Sequence, residues 1–467
     1  MDEPRPAGGQ PSGPAARPAR RQPGGPATRP LHLGALFSPV PGHLHPFAVL
    51  GRELARRGHT LTALNIPDVG PACEAQGMPF RAVGSDVVPV GSWERLWTPI
   101  AEATGLGAIR ATAAAHRQVT RAMCAGIPAV HEELGFDGLL VDEIQFQGRT
   151  IADHLGIPFA TLAPFIPTVR TPGSDAPPPF LPFDRAGANP AKRLLNRAGY
   201  GVLEVLARPV MQETNEFARR WGLAPVRSVS DTVSSLLHMT QAPASLAFAD
   251  PCADPPAPGE RGIHHLGSLL DDERPSVPFP WARLDGCPLV YVSLGTLQNQ
   301  RPEIYATILD ALDRLPVQGV VSLGRWRGGE APPVRSDRHV VVDFAPQQEV
   351  IARAAAVVTH AGMNTTIEAL AAGVPLVAVP ITNDQPAVAK RVELEGAGVR
   401  VPLSRLRADR LEAALRTVLD DPALRAGARR LQGEIRAAGG VTRAADLVEQ
   451  AFGGAAAKVP DDGAAPV

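Results

Sequence analysis

His43 lies just beyond an apolar run, Leu31 to Phe37, in the turn-like stretch Gly42-His43-Leu44-His45-Pro46. An imidazole exchanges a proton near neutral pH, and a carboxylate beside it fixes its tautomer and raises its basicity. Asp142 and Glu143 end a second apolar run, Gly138 to Val141, so titratable groups from two strands reach one sheet edge. His43 with Asp142 would then be the base and orienting half of a triad that lacks its nucleophile. Blander readings stand beside this one. A strand-end histidine can be purely structural, and Asp after a strand commonly caps a helix. His45 invites a metal site with His43, but two histidines two apart in a turn are poor metal-ligand spacing.

The second constellation runs from His360 to Gln385, HAGMNTTIEALAAGVPLVAVPITNDQ. A strand, Ala354 to Thr359, leaves through His360-Ala361-Gly362 and enters a helix at Asn364-Thr365-Thr366. There the first helical N–H groups have no intrahelical partner and the helix dipole adds partial positive charge, which suits a phosphate. Glu368 follows one turn later, where a carboxylate can face a ribose diol. A further strand, Val374 to Val379, delivers Asp384 and Gln385 at its carboxyl end, the edge where open parallel sheets bind ligands.

The elements that carry these residues alternate. Strand, glycine turn and helix (Pro46 to Arg57) lead to a strand at Thr60 to Ile66, the start of a doubly wound α/β sheet. Residues 86–135 read as helical, with Trp93, Leu96 and Trp97 either lining an apolar pocket or packing under a loop. A strand at Pro158 to Leu162 precedes a proline-rich loop, 164–190, read as a flap over the active edge. Phe165, Phe180 and Phe183 line the cleft or anchor that loop. Helices follow to about Trp221. After a Pro/Asp/Gly-rich segment the alternation resumes at Pro288 to Leu294, then Glu303 to Leu315, Val317 to Leu323 and Val340 to Phe344. The resulting division is a disordered extension (1–30), a first Rossmann-like domain (31–250), a linker (251–285), a second Rossmann-like domain (286–435), a C-terminal helix (436–452) and a disordered tail (453–467).

Two domains suit a chain of 467 residues. With a formal net charge of -1 and scattered arginines, nothing favours nucleic acid as a partner. Cys73, Cys124, Cys252 and Cys287 include no Cys-x-x-Cys pair, which argues against zinc and disulfides and for a reducing compartment. No run is long and apolar enough for a membrane span and residues 1–30 lack the apolar core of a signal peptide, so a cytoplasmic protein with at most peripheral membrane contact is expected.

With SLGTLQ at 293–298, VVDFA at 341–345, HAGMNT at 360–365 and DQP at 384–386, the chain resembles the family 1, UDP-glycosyltransferase-like glycosyltransferases of GT-B fold. Within them it looks most like the bacterial zeaxanthin glucosyltransferases. VDEIQ at 141–145 and PPPFLPF at 177–183 add support. The resemblance implies that His360, Gly362, Asn364 and Thr365 meet the donor diphosphate, with Ser293, Gly295 and Thr296 close to the phosphates. It also implies Glu368 on the ribose, Asp384 and Gln385 on the sugar, Gln347 along the nucleoside, and the C-terminal helix (436–452) packing back on the first domain. Phe344 would stack on uracil, where many relatives have the larger Trp.

The expected enzyme is a hexosyltransferase that moves a sugar, glucose first, from a UDP-sugar to a hydroxyl of a hydrophobic small molecule such as a carotenoid or polyketide. His43 would take the acceptor proton, and Glu143 and Gln145 would touch acceptor hydroxyls or lie exposed. No Asp-x-Asp occurs in the sequence, so no metal and no cofactor are expected, and one in-line displacement would invert the sugar. The alternatives are a TDP-deoxysugar transferase of antibiotic biosynthesis and a non-catalytic partner of another glycosyltransferase. A dinucleotide dehydrogenase is disfavoured because no Gly-x-Gly-x-x-Gly follows a strand.

Overall fold

The computed structural model describes residues 29–455 except 104, 170–175, 186, 188, 250–255, 257–261, 270–276, 298, 325 and 327–335. Among the described residues the apolar runs form two wholly parallel sheets. The first contains β1 (His32–Leu36), β2 (Thr60–Asn65), β3 (Phe80–Ala82), β4 (Gly138–Asp142), β5 (Phe159–Ala163), β6 (His238–Thr240) and β7 (His264–His265), in the order β3-β2-β1-β4-β5-β6-β7. The second contains β8 (Leu289–Ser293), β9 (Gln318–Ser322), β10 (Val340–Val342), β11 (Ala354–Thr359), β12 (Leu376–Ala378) and β13 (Gly398–Arg400), in the order β10-β9-β8-β11-β12-β13. Strand order reverses between β1 and β4 and between β8 and β11, which opens a crevice at the carboxyl ends of those strands. Register places Leu36 beside Val141 and Ser293 beside Thr359, so the candidate site residues leave from these two switch points.

The first domain's helices are α1 (Pro41–Arg56), α2 (Gly70–Glu74), α3 (Ser92–Glu102), α4 (Gly105–Leu134), α5 (Gly148–Leu155), α6 (Pro190–Arg220) and α7 (Ala244–Ala247). Those of the second half are α8 (Pro302–Asp313), α9 (Gln347–Ile351), α10 (Met363–Ala371), α11 (Gln385–Leu394), α12 (Ala408–Asp420), α13 (Pro422–Ala437) and α14 (Gly440–Ala455). Central strands β4 and β8 are buried along their whole length, as expected where helices cover both faces of a parallel sheet. α14 leaves the second domain and packs on α1, adding Ala444, Ala445, Val448 and Phe452 to the first domain's core. Arg57 Nη1 binds Asp446 at 2.7 Å and Glu449 at 3.0 Å across this contact.

Several local expectations are corrected. α1 begins at Pro41, not Pro46, so Gly42 to Pro46 is the helix's first turn and not a glycine loop. Pro41 accounts for this, because its ring presets the helical φ at a position whose N–H has no intrahelical acceptor. The segment expected as a linker, 251–285, carries β7, which pairs with β6 at the edge of the first sheet; the rest of it lies partly outside the described residues. Strands β3, β6, β7 and β13 are too short for an alternating pattern to reveal. Trp97 and Leu96 are core residues, and Trp93 stacks on Trp97 with its indole N–H donated to the Pro39 carbonyl, so this group packs under the loop after β1. Residues 1–28 and 456–467, read as extension and tail, lie outside the described residues, as do parts of the proline-rich loop.

Candidate active site

Asp142 ends β4 with no exposed surface. Its Oδ2 accepts the Nδ1–H of His43 at 2.5 Å and the Ser38 N–H at 3.2 Å, while Oδ1 accepts from Ile144 N–H at 3.3 Å. This geometry puts the imidazole proton on Nδ1 and leaves the Nε2 lone pair to face a substrate. The helix-cap alternative fails, since α5 starts at Gly148 behind Gln147. Burial works to lower the His43 pKa, but the Asp142 charge and hydrogen bond outweigh it, with a contribution from Asp384, and the pKa is raised. The Phe165 ring lies 5.5 Å from the imidazole. His45 instead meets Gln76 Oε1 at 3.3 Å, and among the described residues no cluster of three His, Cys, Asp or Glu groups could hold a metal.

Facing this pair is the edge of the second sheet. Ser293 Oγ accepts the Gly295 N–H at 3.3 Å, and Gly295 adopts φ +78°. A Cβ there would come within 2.7 Å of His360 Cε1, and one on Gly362 would also strike the ring, so two glycines cradle this imidazole. Burial pushes the His360 pKa down to about 4, against a hydrogen bond with the Ser293 backbone that raises it. His360 is therefore a neutral donor at pH 7. Thr296 is exposed on the same loop. Gly295→Ala is expected to cost about 1–3 kcal/mol through left-handed strain and the displaced ring. Urea unfolding together with donor KM would check this; an unchanged KM would show that the cradle does not position His360.

At the mouth of α10, Thr365 and Thr366 are buried and the Thr366 hydroxyl has no partner among the described residues. Glu368 Oε2 accepts from Gln347 Nε2 at 2.6 Å, and Gln347 Oε1 accepts from the Tyr291 hydroxyl at 2.8 Å. Gln347 thus orients Glu368 from the start of α9. Phe344 stands 46% exposed just beyond β10. Asp384 precedes α11 without capping it, and its pKa is raised by burial although the His43 and Arg391 charges oppose this. Its carboxylate and His43 feel each other across the cleft. Gln385 Oε1 is committed to the Ile381 and Thr382 N–H groups, each at 2.9 Å, so this oxygen shapes its own loop.

Known proteins place this geometry. A family model described as UDP-glucoronosyl and UDP-glucosyl transferase matches residues 285–433. The zeaxanthin glucosyltransferase of Pantoea ananas is 30% identical over 423 residues, 90% of this chain and 95% of that one. That of Pseudescherichia vulneris is 30% identical over 434 residues, 91% and 98% of the two chains. This chain belongs to the UDP-glucoronosyl and UDP-glucosyl transferase family. The solved structure of the glycotransferase of kitacinnamycin superposes with a TM-score of 0.68 at 25% identity, over 91% of this chain and all of that one, so the fold is GT-B.

In this glycosyltransferase the two domains are joined at the site by contacts that no local pattern announced. Pro46 inside α1 has no N–H, so the Gly42 carbonyl lacks its usual i+4 donor. Asn364 Nδ2 of α10 fills that role at 2.9 Å, one residue from the candidate base. Asn364 Oδ1 accepts from Gln241 Nε2 at 2.7 Å, and Gln241 also donates to the Pro164 carbonyl at 2.5 Å. Gln241 is buried just beyond β6, where a three-residue strand gave no signal. Gln241→Leu is expected to lower kcat/KM about tenfold, as a buried amide bridge is lost. Steady-state kinetics with varied donor would show the loss, mainly in donor KM.

His116 on α4 is the other residue that sequence reading passed over. Burial, aided by the His43 charge and opposed by Asp142, pushes its pKa down to about 4. A histidine in a long polar-faced helix offers no pattern by which to single it out. Glu143 proves structural: Oε1 accepts from the Thr168 N–H and hydroxyl, each at 2.5 Å, and Oε2 pairs with His238 Nε2 at 2.7 Å. It pins the start of the proline-rich loop. Gln145 is buried and accepts from Gln147 at 2.6 Å, so neither is exposed. Phe180 and Phe183 are half-buried.

Proposed function

We propose that this glycosyltransferase moves a hexose, glucose first, from a UDP-sugar to a hydroxyl of a hydrophobic small molecule of carotenoid or polyketide type, with inversion and without a metal. The observation that carries this reading is buried Asp142 holding the part-exposed imidazole of His43 opposite the α10 mouth and Asp384. His43 Nε2 takes the acceptor proton as its oxygen attacks the anomeric carbon. The anomeric C–O bond breaks and the nucleoside diphosphate departs with the electron pair. Asp142 holds the resulting imidazolium, while the α10 N–H groups, Thr365 and neutral His360 meet the diphosphate charge. Glu368 takes the ribose, Phe344 the base, and Asp384 with Gln385 the sugar. A non-catalytic partner would have no use for a base ordered in this way.

The test is turnover of purified protein with UDP-glucose and TDP-deoxysugars against zeaxanthin and a macrolide panel, with and without EDTA. UDP-glucose is expected to be used in EDTA, and proton coupling constants should show a β-linked product from the α-linked donor. An α-linked product would overturn the displacement, and loss of turnover in EDTA that magnesium restores would overturn the metal-free reading. Preference for a TDP-deoxysugar would move the donor assignment.

A further inference from the structure

The long helix α6 has one face against the protein and another that none of the described residues covers. Asn196, Gly199, Ala207 and Val210 are buried, toward α4 and the proline-rich stretch, where Gly199 lies close enough to Pro178 that a Cβ would strike it. On the opposite side Leu194, Leu195, Val202 and Val205 are 70%, 50%, 48% and 53% exposed. With Ala198 they follow helical spacing and make one apolar stripe along several turns. Scattered surface leucines mean little, but a continuous apolar band on a helix marks an interaction face.

The charges beside the stripe indicate what it meets. Arg197 and Arg208 are exposed along its flank, and neither has a carboxylate partner among the described residues. Glu204, the one acidic residue between Pro190 and Arg208, turns to accept the Val229 N–H at 3.1 Å. The exposed face is thus apolar and purely cationic in a chain of formal net charge -1. A second copy placed on it would bring arginines together with no carboxylate to receive them. We propose that α6 docks this face on an anionic lipid surface, its leucines and valines entering the headgroup–acyl boundary and its arginines meeting lipid phosphates. The docked helix walls the proline-rich loop, whose start carries Phe165 beside His43. An apolar acceptor dissolved in that surface would then enter the cleft from the membrane side.

Co-sedimentation of the full chain tests this independently of turnover. Wild type is expected to pellet with equimolar phosphatidylglycerol–phosphatidylcholine vesicles, less with phosphatidylcholine alone, and less again at high salt. The surface pairs L194E/V202E and R197E/R208E should each lower partitioning on the order of tenfold or more, with unaltered melting and unaltered turnover of a small water-soluble phenol if that phenol is accepted. Wild type remaining in the supernatant with anionic vesicles, or variants that pellet as it does, would overturn the proposal. A wild-type dimer seen by light scattering and dissolved by L194E/V202E would assign the stripe to a second copy instead.

Discussion

Replacing His43 by alanine is expected to lower kcat by about two to four orders of magnitude, the usual range for removing a positioned general base. The substitution takes away the Nε2 lone pair and, on the donor side, only the imidazole charge that Asp384 feels. Gly42 still offers its backbone carbonyl to Asn364, and the Gly295–Gly362 cradle and the Glu368–Gln347 pair do not touch the imidazole. Donor KM should therefore hardly move. Asp142 keeps two backbone donors, Ser38 and Ile144, so the buried carboxylate remains partly satisfied and the fold should persist. Steady-state kinetics with calorimetric titration of the nucleoside diphosphate would check both halves. Turnover within a few-fold of wild type would remove His43 from the mechanism.

Asp142→Asn is expected to cost nearly as much, for a different reason, and to leave a signature in pH. An amide can turn its NH2 toward His43 Nδ1, which forces the imidazole proton onto Nε2 and removes the lone pair from the acceptor side. In the native protein the His43 pKa is raised, and the protonated ring cannot act as a base. Activity should thus rise with pH through a limb above the ordinary histidine value. Without the Asp142 charge burial prevails, the His43 pKa falls, and the limb should move to lower pH as the plateau drops. His116, already pushed down to about 4, should add no second limb near neutrality. A pH profile of kcat/KM for both proteins decides this. An acidic limb that stays in place would mean the titrating group is not His43. Because the two residues act as one unit, the double variant should be scarcely slower than His43→Ala alone.

Much of the proposed donor half is local chemistry, which is why its strand–turn–helix geometry was legible. A strand ending at Thr359, a glycine-bearing turn and a helix with Asn364 and Thr365 in its first turn define an anion-ready terminus within a dozen residues, whatever surrounds it. Asp142 and His43 could be brought to one sheet edge because parallel strands feed their carboxyl ends to the same side. The short strands, the start of α1 and the fate of Glu143 and Gln145 were not legible. Each depends on partners distant in the chain: β7 exists by pairing with β6, and Glu143 is spent on Thr168 and His238.

What the sequence alone determined, then, was the alternation of buried strands and helices and the residue types at their ends, since these follow from period, caps and turn chemistry. Tertiary structure alone decided how the two halves meet. Pro46 leaves a carbonyl without its donor, and only the packing of the second domain brings Asn364 to it. Gln241 joins the same bridge from a segment without pattern. A buried polar group must find a partner somewhere, but which residue supplies it is set by proximity in the folded chain, and spacing along the sequence does not encode that.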